Sequence, residues 1–241
     1  MKVIYQPKGK ALEYSPLALN LYKGCAHGCT YCYAKKMAKR FGNDTFSVSV
    51  SRPNILEKLN EDGFNMRGRM DKREINLCFM CDPYSPPDGG DITREALLIL
   101  YKYSLNVSIL TKAGTRACRD FDLLKKACWK FGSSITCFGQ QRTKIEPNAA
   151  NLFDRISAIQ TAHKMGIFTY VSLEPVIDAD QAIEIITSLY PFVDFWKIGK
   201  INYEPEIEKN IDWKAFVARA RVALKNSAYM FKKDTLAAAG E

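Results

Sequence analysis

Strand and helix patterns alternate along most of this 241-residue sequence, and this alternation constrains the fold more than any other feature. Short apolar runs predict strands, and segments with apolar residues three or four positions apart predict the helices between them. Counted from Leu17, the pattern gives six strand–helix units. Because strands that alternate with helices pair in parallel through helical crossovers, the sequence predicts an α/β fold with a parallel sheet.

The pattern also predicts where the individual elements lie. The predicted strands are Leu17–Leu21, Phe46–Val50, Glu74–Met80, Asn106–Thr111, Ser133–Phe138, Ile167–Leu173 and Phe192–Ile198. The predicted helices are Tyr33–Phe41, Ile55–Leu59, Ile92–Tyr103, Asp120–Phe131, Asn151–Met165 and Asp180–Leu189, followed by a last long helix. Residues 61–73 are predicted to form a loop. We expect one domain over 1–241, with a core at about 15–205, a C-terminal helix at 211–226 and a loose tail at 232–241.

Three of the eight cysteines, Cys25, Cys29 and Cys32, follow one another in the pattern C-x3-C-x2-C. Iron–sulfur clusters are held by cysteine thiolates, and a four-iron cluster has four ligand positions. Three cysteines would leave one iron open to a group that is not protein, as in open catalytic metal sites. A zinc site is the alternative, because structural zinc takes four ligands in two pairs and Cys78-x2-Cys81 offers a second pair.

The cysteine spacing, with Tyr31 just before the third cysteine, resembles the radical S-adenosylmethionine (SAM) superfamily. The flanks Leu19–Gly24 and Cys32–Ala34 resemble its branch around spore photoproduct lyase. The resemblance implies a partial (β/α)6 barrel of the TIM type, which agrees with the six units. It also implies a [4Fe-4S] cluster on Cys25, Cys29 and Cys32. SAM would bind the open iron and be cleaved to a 5′-deoxyadenosyl radical that abstracts hydrogen from a substrate.

The same resemblance assigns SAM contacts to residues at predicted strand ends, where parallel barrels carry their chemistry. Lys112 matches a lysine that pairs with the SAM carboxylate, and a charge-assisted bond of this kind orients a ligand strongly. The remaining predicted contacts are Tyr31 against adenine, Cys81 and Asp82 near the amino group, Ser134 beside SAM, and Glu174. Glu174 departs from the branch, and it is expected to line the substrate cavity or to bind the ribose. Asp82 has an alternative role as a cap of the following loop.

Two further residues near the motif receive only structural roles from the sequence. His27, inside the cysteine loop, is predicted to fill that loop rather than to bind metal. Glu146 lies in a Glu-Pro segment that matches the branch, and it is predicted to shape the loop before the next helix.

Cys81 is the thiol that the sequence favours for chemistry. Side chains alternate faces along a strand, so Cys81 is predicted to point into the barrel and Cys78 toward the helices. The donor cysteine of the lyase aligns with Phe79, which cannot donate hydrogen, so we expect no thymine-dimer reaction here. Cys81 as a small residue packed beside SAM is the alternative.

The net charge of +9 permits binding to DNA or RNA. Two segments concentrate the positive charge: one holds Lys35, Lys36, Lys39 and Arg40, and the other holds Arg67, Arg69, Lys72 and Arg73. A phosphate-contacting surface and an ordinary solvated surface are the two alternatives for them. No apolar run is long enough to span a membrane, and no leader pattern precedes the first strand. We therefore expect a cytoplasmic monomer that receives electrons from a flavodoxin or ferredoxin.

The sequence thus predicts a radical SAM enzyme with a [4Fe-4S] cluster and SAM as cofactors. Nucleic acid, undergoing repair or modification, is the leading substrate class. Radical modification of a peptide or small molecule is the alternative reaction. A metal-bound module that binds nucleic acid without catalysis is the alternative from another class.

Overall fold

A mostly parallel eight-stranded sheet forms the centre of the computed structural model, which describes residues 2–42, 45–86, 90–202 and 204–241. The sheet strands are β1 (Ile4–Tyr5), β2 (Leu17–Leu19), β5 (Ile75–Leu77), β6 (Val107–Thr111), β7 (Lys130–Ser134), β8 (Phe168–Val176), β9 (Phe195–Lys200) and β10 (Ala228–Phe231). They lie side by side in that order, and only β1 is antiparallel to its neighbour. Two short strands, β3 (Tyr22–Lys23) and β4 (Val50–Ser51), form a separate antiparallel pair.

Helices connect the strands as crossovers, as parallel pairing requires. The helices are α1 (Tyr33–Arg40), α2 (Ile55–Gly68), α3 (Asp91–Lys102), α4 (Phe121–Lys126), α5 (Gly139–Ile145), α6 (Leu152–Lys164), α7 (Ala179–Leu189), α8 (Pro205–Lys209), α9 (Trp213–Leu224) and α10 (Lys233–Ala239). Asn151, Asp178 and Asp212 cap α6, α7 and α9 by accepting from a backbone N–H of the first turn. Within the described ranges, no helix is long and apolar enough to cross a membrane.

The two faces of the sheet differ in polarity. One face carries a register-matched row of buried apolar side chains, Leu19, Leu77, Ile109 and Phe131. The opposite face carries polar residues, and its Tyr170 hydroxyl accepts from Ser108 at 3.0 Å. Gly132 makes room for the Tyr170 ring, because a Cβ there would lie 2.2 Å from the ring. The polar face therefore lines the inside of the barrel.

The six parallel strands predicted from the sequence are present as β2 and β5–β9, and the α/β barrel-type fold is confirmed. The strand predicted at Phe46–Val50 is wrong, because only Val50 and Ser51 pair with another strand. The strand predicted at Ser133–Phe138 lies earlier, at Lys130–Ser134, and so the helix predicted to reach Phe131 ends at Lys126.

The loop predicted over residues 61–73 is also wrong, because α2 continues to Gly68. Two long-range contacts explain the helix. A Cβ on Gly63 would lie 2.4 Å from the Tyr103 ring, so the glycine allows α2 to approach α3 closely. Buried Asp62 accepts from the backbone amides of Val3 and Ile4 at 2.6 and 3.0 Å.

The loose tail predicted at 232–241 is instead ordered as α10, and β10 precedes it. The Thr235 side chain is fully buried and accepts from the Lys200 amide at 2.8 Å. A short 3-10 helix, Gly9–Glu13, reaches this region through Lys10, whose Nζ lies 2.5 Å from an Asp234 carboxylate oxygen. The N-terminal segment and the β10–α10 segment thus meet beside the barrel.

Candidate active site

A cavity of about 750 Å³ opens at the carboxyl ends of the parallel strands. Ligand pockets commonly have volumes of about 300–1,000 Å³. All residues predicted from the sequence as metal or SAM contacts line this cavity: Cys25, Cys29, Tyr31, Cys32, Cys81, Asp82, Lys112, Ser134 and Glu174. The structure therefore brings the predicted site together in one place.

The cysteine loop, residues 24–32, is held by backbone contacts to two other segments. The Cys25 amide donates to the Phe46 carbonyl at 2.7 Å, and the Thr30 amide donates to the Ile145 carbonyl at 2.9 Å. Gly24 has a φ of +78°, and a Cβ there would lie 2.1 Å from the Val48 carbonyl oxygen. Only glycine fits this close approach without movement of the backbone.

Each of the three thiols lies beside a backbone N–H donor or a positive charge. Burial raises the pKa of Cys25, while the His27 backbone amide opposes this rise. Burial raises the pKa of Cys29 to about 11, and the Lys112 ammonium acts against it. Cys32 is the N-cap of α1 and its Sγ accepts from the Lys35 amide at 3.4 Å. Amides, an ammonium and a helix N-terminus all stabilise negative charge.

The donor set fits a sulfur-ligated cluster. All three cysteines are free thiols that face the same cavity. Within the described ranges, no three His, Cys, Asp or Glu side chains converge closely enough to hold a single metal ion. Thiolates that share a four-iron cluster bind different irons, so they need not converge on one point.

Glu146 is fully buried and joins four segments around the site. The Tyr31 hydroxyl and Thr136 Oγ1 donate to its Oε1, the latter at 3.0 Å. Arg155 Nη2 lies 2.6 Å from Oε2, and Lys112 Nζ lies 3.9 Å from Oε1. Burial opposes ionisation of this carboxyl, but the Lys112 and Arg155 charges hold its pKa below the usual value. Glu146 thus fixes the cysteine loop relative to Lys112, beyond the loop-shaping role predicted for it.

His27 is 2% exposed and links the cysteine loop to Asp82. Its Nε2 lies 3.1 Å from Asp82 Oδ2, and its Nδ1 lies 3.4 Å from the Asn148 carbonyl oxygen. The Asn148 amide in turn donates to the His27 carbonyl at 3.1 Å. The predicted structural role of His27 is thus wider than filling the loop, since its side chain bridges two neighbouring segments.

The Asp82 carboxylate is surrounded by donors from the protein. Thr111 Oγ1 and the Tyr84 amide donate to Oδ1 at 2.7 and 2.9 Å, and the Lys112 amide donates to Oδ2 at 2.8 Å. Burial alone would raise the pKa of Asp82, but His27 and the backbone amides lower it to about 2. This geometry favours the capping role for Asp82, while leaving it on the cavity wall near the cysteine loop.

Lys112 presents its ammonium to the cavity from the end of β6. Burial lowers the pKa of this group, but Glu146 and Cys29 outweigh burial, so the pKa is raised and the lysine stays charged. Its Nζ lies 5.6 Å from the centroid of the Tyr31 ring. The result is a fixed positive charge beside the cysteine loop.

Cys81 lines the cavity as predicted, but Cys78 lines it too. The prediction that Cys78 points toward the helices is wrong. The strand rule of alternating faces stops applying where β5 ends, at Leu77. Asn20 Oδ1 accepts from the amides of Phe79 and Met80 at 2.9 and 2.8 Å, which fixes the turn between the two cysteines.

Sequence reasoning missed Arg155, which is 1% exposed on α6. Its Nη1 donates to the Ser134 carbonyl at 2.9 Å, and its Nε donates to the Ala150 carbonyl at 2.8 Å. The sequence does contain a signal for this buried arginine, because position 155 falls on the buried face of α6 with Ala158, Ile159 and Ala162. A charged residue on such a face requires a buried partner.

No family model matches the chain. The uncharacterized protein MJ0683 of Methanocaldococcus jannaschii is 30% identical over 194 residues, which cover 79% of this chain and 72% of that protein. The chain belongs to the family of MJ0683. The uncharacterized protein Rv2578c of Mycobacterium tuberculosis is 25% identical over 182 residues, which cover 71% of this chain and 52% of that protein. The chain thus spans about half the length of this mycobacterial relative.

Solved structures share the fold of this MJ0683 family member at low sequence identity. Spore photoproduct lyase complexed with dinucleoside spore photoproduct matches with a TM-score of 0.67 and 12% identity, covering 95% of this chain and 79% of the lyase. Streptococcus suis SuiB bound to S-adenosylmethionine matches with a TM-score of 0.64 and 10% identity, covering 89% of this chain and 49% of SuiB. Both are radical SAM enzymes, and the predicted resemblance in fold is confirmed.

Proposed function

We propose that this protein is a radical SAM enzyme. The observation that carries the proposal is the convergence of the three-cysteine loop, the Lys112 ammonium and the Tyr31 ring on one cavity of sufficient volume. The fold shared with radical SAM enzymes supports it. Cys25, Cys29 and Cys32 would hold a [4Fe-4S] cluster. When bound, the cluster and SAM supply one-electron chemistry that cleaves SAM to a 5′-deoxyadenosyl radical, which takes hydrogen from a substrate.

The residues of this chain act by binding and orientation. Lys112 offers a charged ammonium to the carboxylate of SAM, and Glu146 keeps that ammonium and the Tyr31 ring in place. We assign Cys81, Asp82 and Ser134 to the walls around SAM, and Glu174 to the wall formed by the end of β8. If a thiol donates hydrogen, we assign that step to Cys81. Phe79 at the position of the lyase donor argues against thymine-dimer repair.

Nucleic acid remains our leading substrate class. Helix α1, which carries one basic segment, borders the cavity through Tyr33, Ala34 and Met37. Spore photoproduct lyase binds a dinucleoside spore photoproduct, which supports this choice. SuiB binds the precursor peptide SuiA, so peptide modification is the second candidate.

Anaerobic reconstitution with iron and sulfide tests the proposal. We expect about four irons and four sulfides per chain, and reductive cleavage of SAM to 5′-deoxyadenosine. Changing Cys25, Cys29 or Cys32 to Ala should abolish both, whereas Cys118→Ala should change neither, because Cys118 lies outside the cavity. Stoichiometric zinc without iron uptake would refute the proposal.

A further inference from the structure

Cys78 and Cys81 form a pair of neighbouring thiols on the cavity wall, outside the three-cysteine loop. Both are free thiols, and both line the cavity. The side chain of Cys81 is hydrogen-bonded to that of Cys78. Cys78 is 6% exposed, whereas Cys81 is partly exposed. One thiol of the pair is thus open to small molecules that enter the cavity, and the buried thiol lies in contact with it.

The turn that carries the pair is held by other parts of the chain. The Asn20 side chain accepts from the Phe79 amide at 2.9 Å, and the Tyr33 hydroxyl donates to the Phe79 carbonyl at 2.7 Å. The Leu21 amide donates to the Cys78 sulfur. Because the two cysteines are only three positions apart, a bond between their sulfurs closes a very short loop and costs little chain entropy. The fold therefore keeps the two sulfurs together without a covalent bond.

A metal ion does not explain this pair. Within the described ranges, no third His, Cys, Asp or Glu side chain joins two others closely enough to hold a metal ion. Asp82 is next in sequence, but its carboxylate accepts from Thr111 Oγ1 and from the Lys112 amide. Structural zinc takes four ligands. Two adjacent thiols in the spacing C-x-x-C, without further ligands, are instead typical of cysteines with disulfide chemistry.

We propose that Cys78 and Cys81 are a redox-active pair that forms a reversible disulfide on the cavity wall. The oxidant is a low-molecular-weight disulfide such as oxidised glutathione, and the reductant is a dithiol. Cys81 reacts first because it is the more exposed of the two, and Cys78 completes the bond.

Two exchange steps make up the oxidation. The Cys81 thiolate attacks one sulfur of glutathione disulfide, which breaks the S–S bond and releases a thiolate that takes up the proton lost by Cys81. Cys78 then attacks the Cys81 sulfur, releases the second glutathione and passes its own proton to it. One protein dithiol and one glutathione disulfide thus become one protein disulfide and two glutathione thiols. The two cysteines lose two electrons, which the two glutathione sulfurs gain.

The consequence for catalysis rests on the proposed function. Burial raises the pKa of Cys78 well above its usual value, so the reduced pair keeps its hydrogen. Only the dithiol has an S–H hydrogen that a substrate radical can take, and the disulfide has none. The thiol redox state around the protein would therefore decide whether Cys81 can act as a hydrogen donor.

Mass spectrometry of trapped thiols tests the pair. Full-length reconstituted protein is equilibrated anaerobically with mixtures of reduced and oxidised glutathione, and the remaining thiols are alkylated with N-ethylmaleimide. Trypsin cleaves after Arg73 and Arg94 and releases residues 74–94, whose only cysteines are Cys78 and Cys81. We expect this peptide to convert to an unalkylated form that is two hydrogens lighter than the dithiol, and excess dithiothreitol should reverse the change.

Two variants arrest the exchange at different points. In Cys78→Ser, Cys81 should stop as a mixed disulfide with glutathione, and the internal disulfide should be lost completely. In Cys81→Ser, the buried Cys78 should remain an unmodified thiol. Cys128→Ser is the matched control, because Cys128 is an exposed cysteine outside the cavity, and this variant should keep the internal disulfide.

The wild-type measurement needs no substitution and is decisive by itself. A wild-type peptide 74–94 that stays fully alkylated, or that carries only glutathione adducts, overturns the redox pair. An internal disulfide that excess dithiothreitol does not reverse overturns it as well.

Iron content, zinc content and SAM cleavage, measured on the same samples, separate this inference from the proposed function. Failure of the pair to oxidise in protein that binds iron and cleaves SAM overturns the pair alone. A reversible disulfide in protein that binds no iron supports the pair and refutes the proposed function. Stoichiometric zinc that blocks alkylation of Cys78 and Cys81, without iron uptake, overturns both.

Discussion

At the scale of single residues, the buried charge on Glu146 holds the candidate site in shape. Changing Glu146 to Gln leaves Arg155 buried without its counter-ion, and loss of one partner of a buried pair costs roughly 3–5 kcal/mol. We expect a loss of this size in the free energy of unfolding, measured with urea at pH 7. The double variant Glu146→Gln with Arg155→Met should recover most of it, because no unpaired charge remains. Equal stability of the single variant and wild type would show that the pair does not stabilise the fold.

Asp82 predicts a specific acid sensitivity. Its folded-state pKa of about 2 lies below the ordinary value of 3.8, so the carboxylate stabilises the folded protein above about pH 4. That stabilisation is lost as the pH falls toward 2, and two pH units correspond to about 2–3 kcal/mol. Asp82→Asn should therefore flatten the stability curve between pH 4 and pH 2, as followed by denaturant unfolding.

Asp122→Asn is the matched control for this measurement. Arg94 lowers the pKa of Asp122 to about 2 as well, but the Asp122 side chain is 65% exposed. Solvent screening makes such a pair contribute little, so this variant should keep the wild-type acid profile. Identical profiles for Asp82→Asn and wild type would contradict the assignment to Asp82.

The residues that the sequence identified are those whose chemistry is visible locally. Cys25, Cys29 and Cys32 are predicted as metal ligands because their spacing alone is typical of a cluster site. Glu146 and His27 were undervalued because their partners lie far away in sequence, as for Tyr31 and Glu146, which are 115 residues apart. No local pattern reports a contact of that kind.

At the scale of elements, the cysteine loop depends on one glycine. Gly24→Ala places a Cβ 2.1 Å from the Val48 carbonyl and also forces alanine into a left-handed conformation, which costs about 1–2 kcal/mol before the clash is counted. We expect reduced iron uptake on reconstitution, with the far-UV circular dichroism of the rest of the protein retained.

Gly42→Ala is the matched control for the loop. Gly42 also has a positive φ of +73°, but a Cβ there meets nothing within 4 Å. This variant should have the same left-handed backbone strain without a steric clash, and it should keep the wild-type iron content. Full iron uptake by Gly24→Ala would mean that the loop tolerates the displacement.

Element predictions succeeded where the periodic pattern was strong and failed where tertiary contacts decided. The first and last residues of helix α3 each lie within one position of the predicted ones, because its apolar stripe is continuous. Helix α2 runs past its predicted end because Asp62 and Gly63 have partners that the sequence does not reveal. In α10, Thr235 secures a segment whose sequence looked unstructured.

At the scale of the whole molecule, the two basic segments lie at opposite ends of the parallel strands. The helix that carries the first segment, α1, borders the cavity at the carboxyl ends of the strands. Arg67, Arg69 and Lys72 precede β5 and so lie at the amino ends. If nucleic acid is the substrate, changing Lys35, Lys39 and Arg40 together to Gln should weaken binding of single-stranded DNA or RNA. The salt slope of the affinity should fall by up to about 2–3 units, since each lost phosphate contact removes about 0.7–0.9.

The same change at Arg67, Arg69 and Lys72 is the control, and it should leave the slope close to that of wild type. Affinity is measured by fluorescence anisotropy over a series of salt concentrations. Equal effects of the two triple variants would indicate non-specific attraction to a basic protein, without a binding surface at the cavity.

The cysteine loop is held by contacts with residues far away in sequence, and this has a consequence for the order in which the protein folds. The thiols leave the ribosome well before the segment that supports them, since Tyr31 precedes its partner Glu146 by 115 residues. Until Ile145 and Asn148 have docked, the backbone bonds that they make to the loop cannot form, and the Tyr31 hydroxyl cannot donate to the Glu146 carboxylate. Closing such a distant contact costs chain entropy that only the packed barrel can repay. If the three thiols hold the proposed cluster, that cluster would therefore be delivered to a nearly complete protein with a shaped pocket rather than to a nascent peptide.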